Sequence, residues 1–471
     1  MTAPKDRRCH RLAESLRRTI SADRVVTAGP AYDAGRRLWN GAVSRRPGVI
    51  VRCADAAEVR TAVLAAREFD VPLSVRGGGH DWGGRALVDG GLTIDLSGMR
   101  RVSVDPFARV AEVSGGATSA DLARAAHSFG LTAATGTAGS VGMAGLTLGG
   151  GYGPLSGRLG LALDSLLSVD VVLADGSNLT VDEQRTPDLF WALRGGGGNF
   201  GVVTSMRVRL HVVPTPLTGV VLFPWAQTAS VLAGLAELVP EHPDDLTVQF
   251  GILPGSTREP VVFLVPTWSG DDAAAGERAL QRLRSLGHPL VSRSAPTALP
   301  DMLAAVDAQF PSGRHVEIRP RSVRRLTRGV RDVLTVAGST LTSPLSTVSV
   351  HGLHGAATRV PVRETAFGNR DPHLVIQIVA VWEHGDSRAS DHRAWASNLA
   401  CALEDEALPG SYPNLLGSDE VAQITYAYGP NAERLLALKR RFDPDRVFRA
   451  IPLPVQPAAR GYGVDRTALL T

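Results

Sequence analysis

Cysteine is scarce: Cys9, Cys53 and Cys401 are the only three in 471 residues. An odd, scattered set makes neither a disulfide framework nor a CxxC metal pair, and it suits a reducing cytoplasm. No run of about 18 apolar residues occurs, so no membrane-spanning helix is expected. The N-terminal stretch MTAPKDRRCHRLAESLRR lacks the apolar centre of a signal peptide, and the expected location is cytoplasmic. Charge of either sign is nearly balanced, with 50 basic against 46 acidic residues and a net +4. Arginine far outnumbers lysine, but basic blocks are short and interrupted by acids, which argues against nucleic-acid binding. No glycine cluster ends in Gly-Lys-Ser/Thr, so a P-loop is absent.

Glycine is abundant. Of the 50 glycines, 20 cluster in three regions, 77–84, 136–160 and 195–201. Such clusters imply close approach of bare backbone to something. The length suggests two to three domains. Apolar content of 44% and charged content of 20% are those of an ordinary globular protein.

A short amphipathic helix is expected over 10–20. The stretch 47–80 reads as strand (49–53), helix (56–69) capped by Asp55, strand (72–75), then a glycine loop. That is a βαβ-like unit. Strands follow over 91–99 and 102–116, then a helix over 118–130 ending on Gly130. Residues 164–182 read as a hairpin with Asp-Gly at its turn. A helix, four glycines and a strand fill 187–213. After Pro214 the glycine clusters vanish. Strands at 246–252, 261–268, 346–353 and 373–382 alternate with helices, the pattern of an α+β unit with an antiparallel sheet. A final helix stops at Asp443-Pro444.

The run GGGNFG (196–201) matches GxGxxG, but a helix precedes it and a strand follows. The dinucleotide fingerprint needs the reverse, so that a helix N-terminus faces the pyrophosphate. The three loops fit a flat ligand touched by backbone, because N–H groups in such turns form anion-binding concavities. The alternative is that these glycines only make tight turns.

RGGGHDWGG (76–84), GTAGSVGMAGLTLGGGYG (136–153), ALRGGGGNFGVVT (192–204), YPN (412–414) and YGPNAERLLALKRRFDPDRVF (428–448) together resemble the berberine-bridge-enzyme-like flavoproteins. These are FAD-linked oxidases of the vanillyl-alcohol-oxidase fold. The resemblance implies an α+β fold: a two-part, PCMH-type FAD-binding domain, and a substrate domain with an antiparallel sheet covered by helices. The implied boundaries are 1–215 (PCMH-type about 43–214), 216–405, and a segment 406–471 returning to the FAD-binding domain. His80 is implied to bond the 8α-methyl group of FAD, with Arg76, Gly77, Gly78 and Gly79 cradling the pyrophosphate and Asp81 beside them. Thr137, Ala138, Val141, Gly142, Gly145, Leu148, Gly149, Gly201, Val203 and Asn414 are further implied FAD contacts. Many relatives carry cysteine at the Ala138 position and attach FAD twice. Alanine there implies one covalent link, through His80 alone. Val141 matches a position that admits oxygen to the flavin.

For catalysis the resemblance points to Tyr412, Tyr152, Gln377 and Trp82, the two tyrosines also lining the flavin. Where plant relatives have a lysine that lowers the tyrosine's pKa, this chain has Val375, so the base stays open among Tyr412, Glu364, Glu383, His351 and His384. The stretch FRAIPLPVQP after Asp443-Pro444 also departs from the family pattern, which bears on the last flavin-domain contacts. The expected activity is removal of a hydride from a C–H next to oxygen or nitrogen, with dioxygen as acceptor. The expected partner is a small molecule of secondary metabolism. A carbohydrate oxidase, or a protein that sequesters flavin or metabolite without turnover, are the alternatives.

Overall fold

The computed structural model describes residues 4–256 and 259–454. β-Branched runs separated by glycine, proline and aspartate turns form three sheets.

The first sheet has four strands in the order Val25–Val26, Val49–Arg52, Leu92–Asp95, Leu73–Arg76. Val49–Arg52 and Leu73–Arg76 both run parallel to Leu92–Asp95. The two strands of the expected βαβ unit therefore flank a third and do not pair with each other. Leu92–Asp95 is buried at all four positions, which suits the centre of a parallel sheet. Asp55 caps the helix Ala56–Glu68, its carboxylate accepting from Glu58 N at 2.9 Å. The first helix lies earlier than expected, at Pro4–Leu16. Its Cys9, Leu12, Ala13 and Leu16 are buried, the i, i+3, i+4, i+7 stripe that seats a helix on a core.

The second sheet is antiparallel, in the order Val102–Asp105, Val110–Ser114, Val202–Arg209, Leu166–Val172, Asn178–Val181. The hairpin expected over 164–182 forms its last two strands, with Gly176 of the turn at φ +80.

The third sheet has seven strands, all antiparallel: Val291–Pro296, Leu217–Pro224, Pro260–Trp268, Leu246–Pro254, Thr347–Leu353, His373–Trp382, His315–Val323. Four were expected. Two of the other three are edge strands, VSRSAP and HVEIRPRSV. Their charge and proline hide the strand pattern, and an edge tolerates both. Helices Thr228–Leu238, Ala273–Arg284, Arg328–Ser339 and Ala389–Ala402 share a core with one face of this sheet. The opposite face turns toward the glycine loops.

The chain after 405 pairs with the third sheet's edge through Leu408 N to Ser322 O at 2.7 Å. Helix Ala432–Phe442 then packs on Pro187–Leu193, with Arg434 and Arg441 both bound to Asp188. Phe448 enters the core of the first sheet. The final part of the expected C-terminal segment, 455–471, lies outside the described residues.

Candidate active site

The strand Leu73–Arg76 delivers the chain into the first glycine loop. The His80 ring stacks on Trp39, with centroids 4.4 Å apart and planes at 17°. Trp39 is fixed by its N–H to Gly79 O at 2.9 Å and its Nε1 to Phe310 O at 3.2 Å. Beside it, Asn40 is buried. Its Nδ2 donates to Trp82 O and Val316 O, and its Oδ1 accepts from Val316 N. The loop is thereby pinned to the seven-stranded sheet. His80 Nε2 is shielded from solvent and has no hydrogen-bond partner among the described residues. Burial pulls the imidazole pKa down to about 4, against the opposing charges of Asp307 and Asp81. His80 is therefore neutral, and its Nε2 is left without a protein partner.

The loops touch through glycine. A Cβ on Gly78 would collide with the backbone of Gly142, and one on Gly142 with that of Gly78. A Cβ on Gly77 would lie 3.3 Å from Gly115 O, and Gly115 itself backs onto Val203 O. Residues 77–79, 115, 142 and 203 thus bring four chain segments together with little side chain between them. Arg76 Nη1 donates to Gly35 O at 2.8 Å and pairs with Asp95 at 3.3 Å, while its buried Nε has no partner. Val141 O accepts from Ser119 N at 2.8 Å. Thr137 and Ala138 are half-buried in the same loop. The helix Met143–Gly149 carries Gly145, Leu148 and Gly149. Asn414 Nδ2 reaches Gly145 O at 3.3 Å, and the Asn414 side chain fills the space a Gly149 Cβ would need. Asp81 is bound to Arg85, whose guanidinium also donates to Leu416 O and Asn414 O. Asp81 therefore acts on the site by tying the first loop to the YPN segment.

The third glycine cluster differs from what the sequence suggests. Gly195 backs onto Phe367, Gly196 onto Leu435 and Phe200, and Gly197 onto Ile451. Leu148 O accepts from Gly195 N and Gly197 N, both at 2.9 Å. Asn199 binds Ile451 O and Ala450 N. These glycines are accounted for by protein, and the divergent FRAIPLP segment is what packs there. Gly201 similarly backs onto Val171 and Val172. Gly195 and Gly197 thus adjoin the second glycine region through Leu148 O, and Val203 adjoins the first through Gly115.

The helix-free face of the seven-stranded sheet supplies the polar groups. Period-2 alternation puts Ser349 and His351 on one face, while Val348 and Val350 enter the helix-covered core. Cross-strand pairing sets Gln377 opposite Ser349, and both Gln249 and Val375 opposite His351. Gln377 Nε2 donates to Tyr152 OH at 2.5 Å. The Tyr152 ring lies 5.1 Å from that of His351 and 4.9 Å from that of Tyr412. Gly151 N donates to Tyr412 OH at 2.6 Å. His351 Nε2 and Ser349 Oγ are 2.9 Å apart, and Gln249 Nε2 donates to Ser349 Oγ at 2.8 Å. Burial raises the Tyr412 phenol to about 12 and pushes Tyr152 higher still, whereas it lowers His351 to about 4. At neutral pH both phenols keep their protons and the imidazole is uncharged. Trp82 packs with Val316, Ile318, Val379 and Val381, its Nε1 donating to Leu415 O at 3.0 Å. Its polar atom is committed to backbone. Glu364, Glu383 and His384 are exposed, and Glu383 is paired with Arg314. Only His351 of the alternative bases joins the tyrosines.

Sequence reasoning missed Trp39, Asn40, Asp307, Gln249 and Ser349. The alternating T-V-S-V-H run carries a signal for Ser349. Nothing local marks the others, whose partners lie far away in the chain.

Residues 47–182 match the FAD binding domain family, and residues 411–451 match the berberine and berberine-like family. The FAD-linked oxidoreductase aurO of Gibberella zeae is 32% identical over 90% of this chain and 84% of its own length. The (R)-6-hydroxynicotine oxidase of Paenarthrobacter nicotinovorans is 31% identical over 92% of this chain and 96% of its own. The chain belongs to the berberine-bridge-enzyme-like FAD-linked oxidoreductases. The crystal structure of 6-hydroxy-D-nicotine oxidase from Arthrobacter nicotinovorans superposes with a TM-score of 0.83 at 27% identity, covering 92% of this chain and 98% of that one. This family member is therefore an FAD-dependent oxidoreductase, and its α+β architecture is the family's. The residues present fit the cofactor. The unpartnered His80 Nε2 and Arg76 Nε, and the backbone-lined meeting of the glycine loops, are features a flavin nucleotide would complete. No helix among the described residues is long and apolar enough to cross a membrane.

Proposed function

We propose that this protein is an oxidase. It takes a hydride from a C–H bond next to oxygen or nitrogen in a small, uncharged substrate of secondary metabolism, and dioxygen is the final acceptor, giving hydrogen peroxide. FAD is held by one covalent link, at His80. The observation that carries this reading is the neutral, shielded His80 imidazole with an unpartnered Nε2 beside the glycine loops. Ala138 offers no thiol for a second link.

Bound FAD supplies the hydride acceptor. The chain's own residues do the rest. Arg76 and the backbone of Gly77, Gly78 and Gly142 hold the nucleotide. Tyr152, fixed by Gln377, and Tyr412, fixed by Gly151 N, orient the substrate as hydrogen-bonding groups. Gln249, Ser349, His351, Gln377, Tyr152 and Tyr412 bear no fixed charge, which favours a neutral reacting group. Neither phenol is a base at neutral pH. His351 is the group of this set that is a free base at neutral pH, with Ser349 bonded to its Nε2.

Anaerobic mixing with a panel of neutral alcohols and amines tests the reading. A true substrate bleaches the visible flavin band, and air restores it with release of peroxide. A flavin that no compound bleaches but several perturb would mark a sequestering protein. With a substrate in hand, His351→Gln is expected to lower kcat by about 10²-fold. Wild-type kcat/KM should fall as pH drops toward 4, because the free enzyme's imidazole then protonates. The variant should lack that acid limb. A variant with the same limb and rate removes His351 from the chemistry.

A further inference from the structure

The helix Leu299–Gln309, inserted between strands of the seven-stranded sheet, reaches the second glycine loop. Asp307 Oδ1 accepts from Ser140 N at 3.1 Å and from Ser140 Oγ at 2.7 Å. Its other oxygen, Oδ2, lies 2.6 Å from where a Cβ on Gly139 would stand, so the carboxylate sits directly against the loop. Asp307 and His80 line one cavity of about 250 Å³, together with Arg37, Trp39, Arg76 and Ser140. Asp307 is the one carboxylate among its lining residues. The cavity contains a nucleophile with its plane fixed by Trp39 and its Nε2 unpartnered. A carboxylate is held against the same space by two hydrogen bonds from a different loop.

We infer that Asp307 is a positioning residue for covalent attachment of the flavin: its charge, held at the cavity wall by Ser140, promotes bond formation at His80. The inference rests on the proposed link at His80. In that step one C–H bond of the flavin 8-methyl group and the imidazole N–H bond break, and one C–N bond forms. Both protons leave to solvent. The two electrons pass to the flavin ring, from which dioxygen removes them as hydrogen peroxide. A neutral imidazole that bonds to carbon becomes positively charged until its N–H proton departs. An anion facing the same cavity lowers the free energy of that cation. The charge of Asp307 acts on His80 in this sense, opposing the burial that disfavours its cationic form.

Asp307→Asn is the decisive variant. The amide oxygen can still accept both Ser140 hydrogen bonds, so the loop is retained and only the charge is lost. Wild type, Asp307→Asn, Asp307→Glu and His80→Ala are purified, incubated with FAD in air, and sampled by intact mass and by acid precipitation. Expected for Asp307→Asn is the same total flavin per protein but a rate of covalent attachment at least tenfold lower, with substantial recovery in Asp307→Glu. Attachment at the wild-type rate in Asp307→Asn overturns the inference and leaves the His80 link standing. Loss of total flavin binding in Asp307→Asn also overturns it, because the residue would then serve the loop's structure. Wild-type protein that releases all its flavin into acid overturns the link itself, and the role of Asp307 with it.

Discussion

In His80→Ala protein the yellow colour is expected to leave with the supernatant on acid denaturation, while wild-type colour stays with the pellet. The intact mass of wild type should exceed that of the polypeptide by one flavin nucleotide, and that increment should vanish in the variant. Burial holds the His80 imidazole neutral, Trp39 holds its plane, and no protein group occupies its Nε2. The rest of the cradle does not depend on the imidazole. Gly78 meets Gly142, and Arg76 is fixed by Gly35 O and Asp95. Non-covalent FAD should therefore still bind to His80→Ala, more weakly. A wild-type mass equal to the bare chain would exclude the covalent link.

Lys439→Met is expected to lower the stability of the protein by about 3–5 kcal/mol, the cost of removing one partner of a buried ion pair. Lys439 is one of only two lysines in the chain. Its Nζ donates to Asn199 O at 2.5 Å, Phe448 O at 2.7 Å and the Asp443 carboxylate at 2.5 Å. Asp443 is fully buried and also accepts from Val447 N and Phe448 N, both at 2.9 Å. Methionine fills the volume but leaves a buried carboxylate without its cation and two carbonyls without donors. The loss should reach the flavin. Lys439 ties the segment after 443 onto Asn199, and the adjoining Gly195 and Gly197 hold Leu148 O of the helix Met143–Gly149. A lower denaturant midpoint together with weaker FAD retention is the expected pair of results. An unchanged midpoint would show that the buried carboxylate is satisfied without the lysine.

Much of the fold was legible because burial and turn chemistry are local. The Asp55 cap and the Asp-Gly hairpin at 175–176 each follow from a few neighbouring residues, whereas the first helix was expected some residues too late. The edge strands Val291–Pro296 and His315–Val323 were not legible, because an edge needs no apolar alternation. The third glycine cluster was ambiguous for a related reason. A tight turn against protein and a tight turn against a phosphate both call for glycine. Only the positions of Phe367, Leu435 and Ile451 distinguish them.

By itself the sequence determined the three glycine loops, the histidine among them, the missing thiol at Ala138, and through the motif order the family of FAD-linked oxidoreductases. These are properties of short stretches, in which residue type and spacing carry the chemistry. The tertiary structure alone decided which groups meet. It set His351 across from Val375 and beside Tyr152, put Trp39 on His80, and brought Asp307 into the His80 cavity. It also seated Trp82 among Val316, Ile318, Val379 and Val381. The physical reason is that these contacts join residues up to hundreds of positions apart. Strand register and the desolvation that moves each pKa exist only once the sheets and loops have closed on one another.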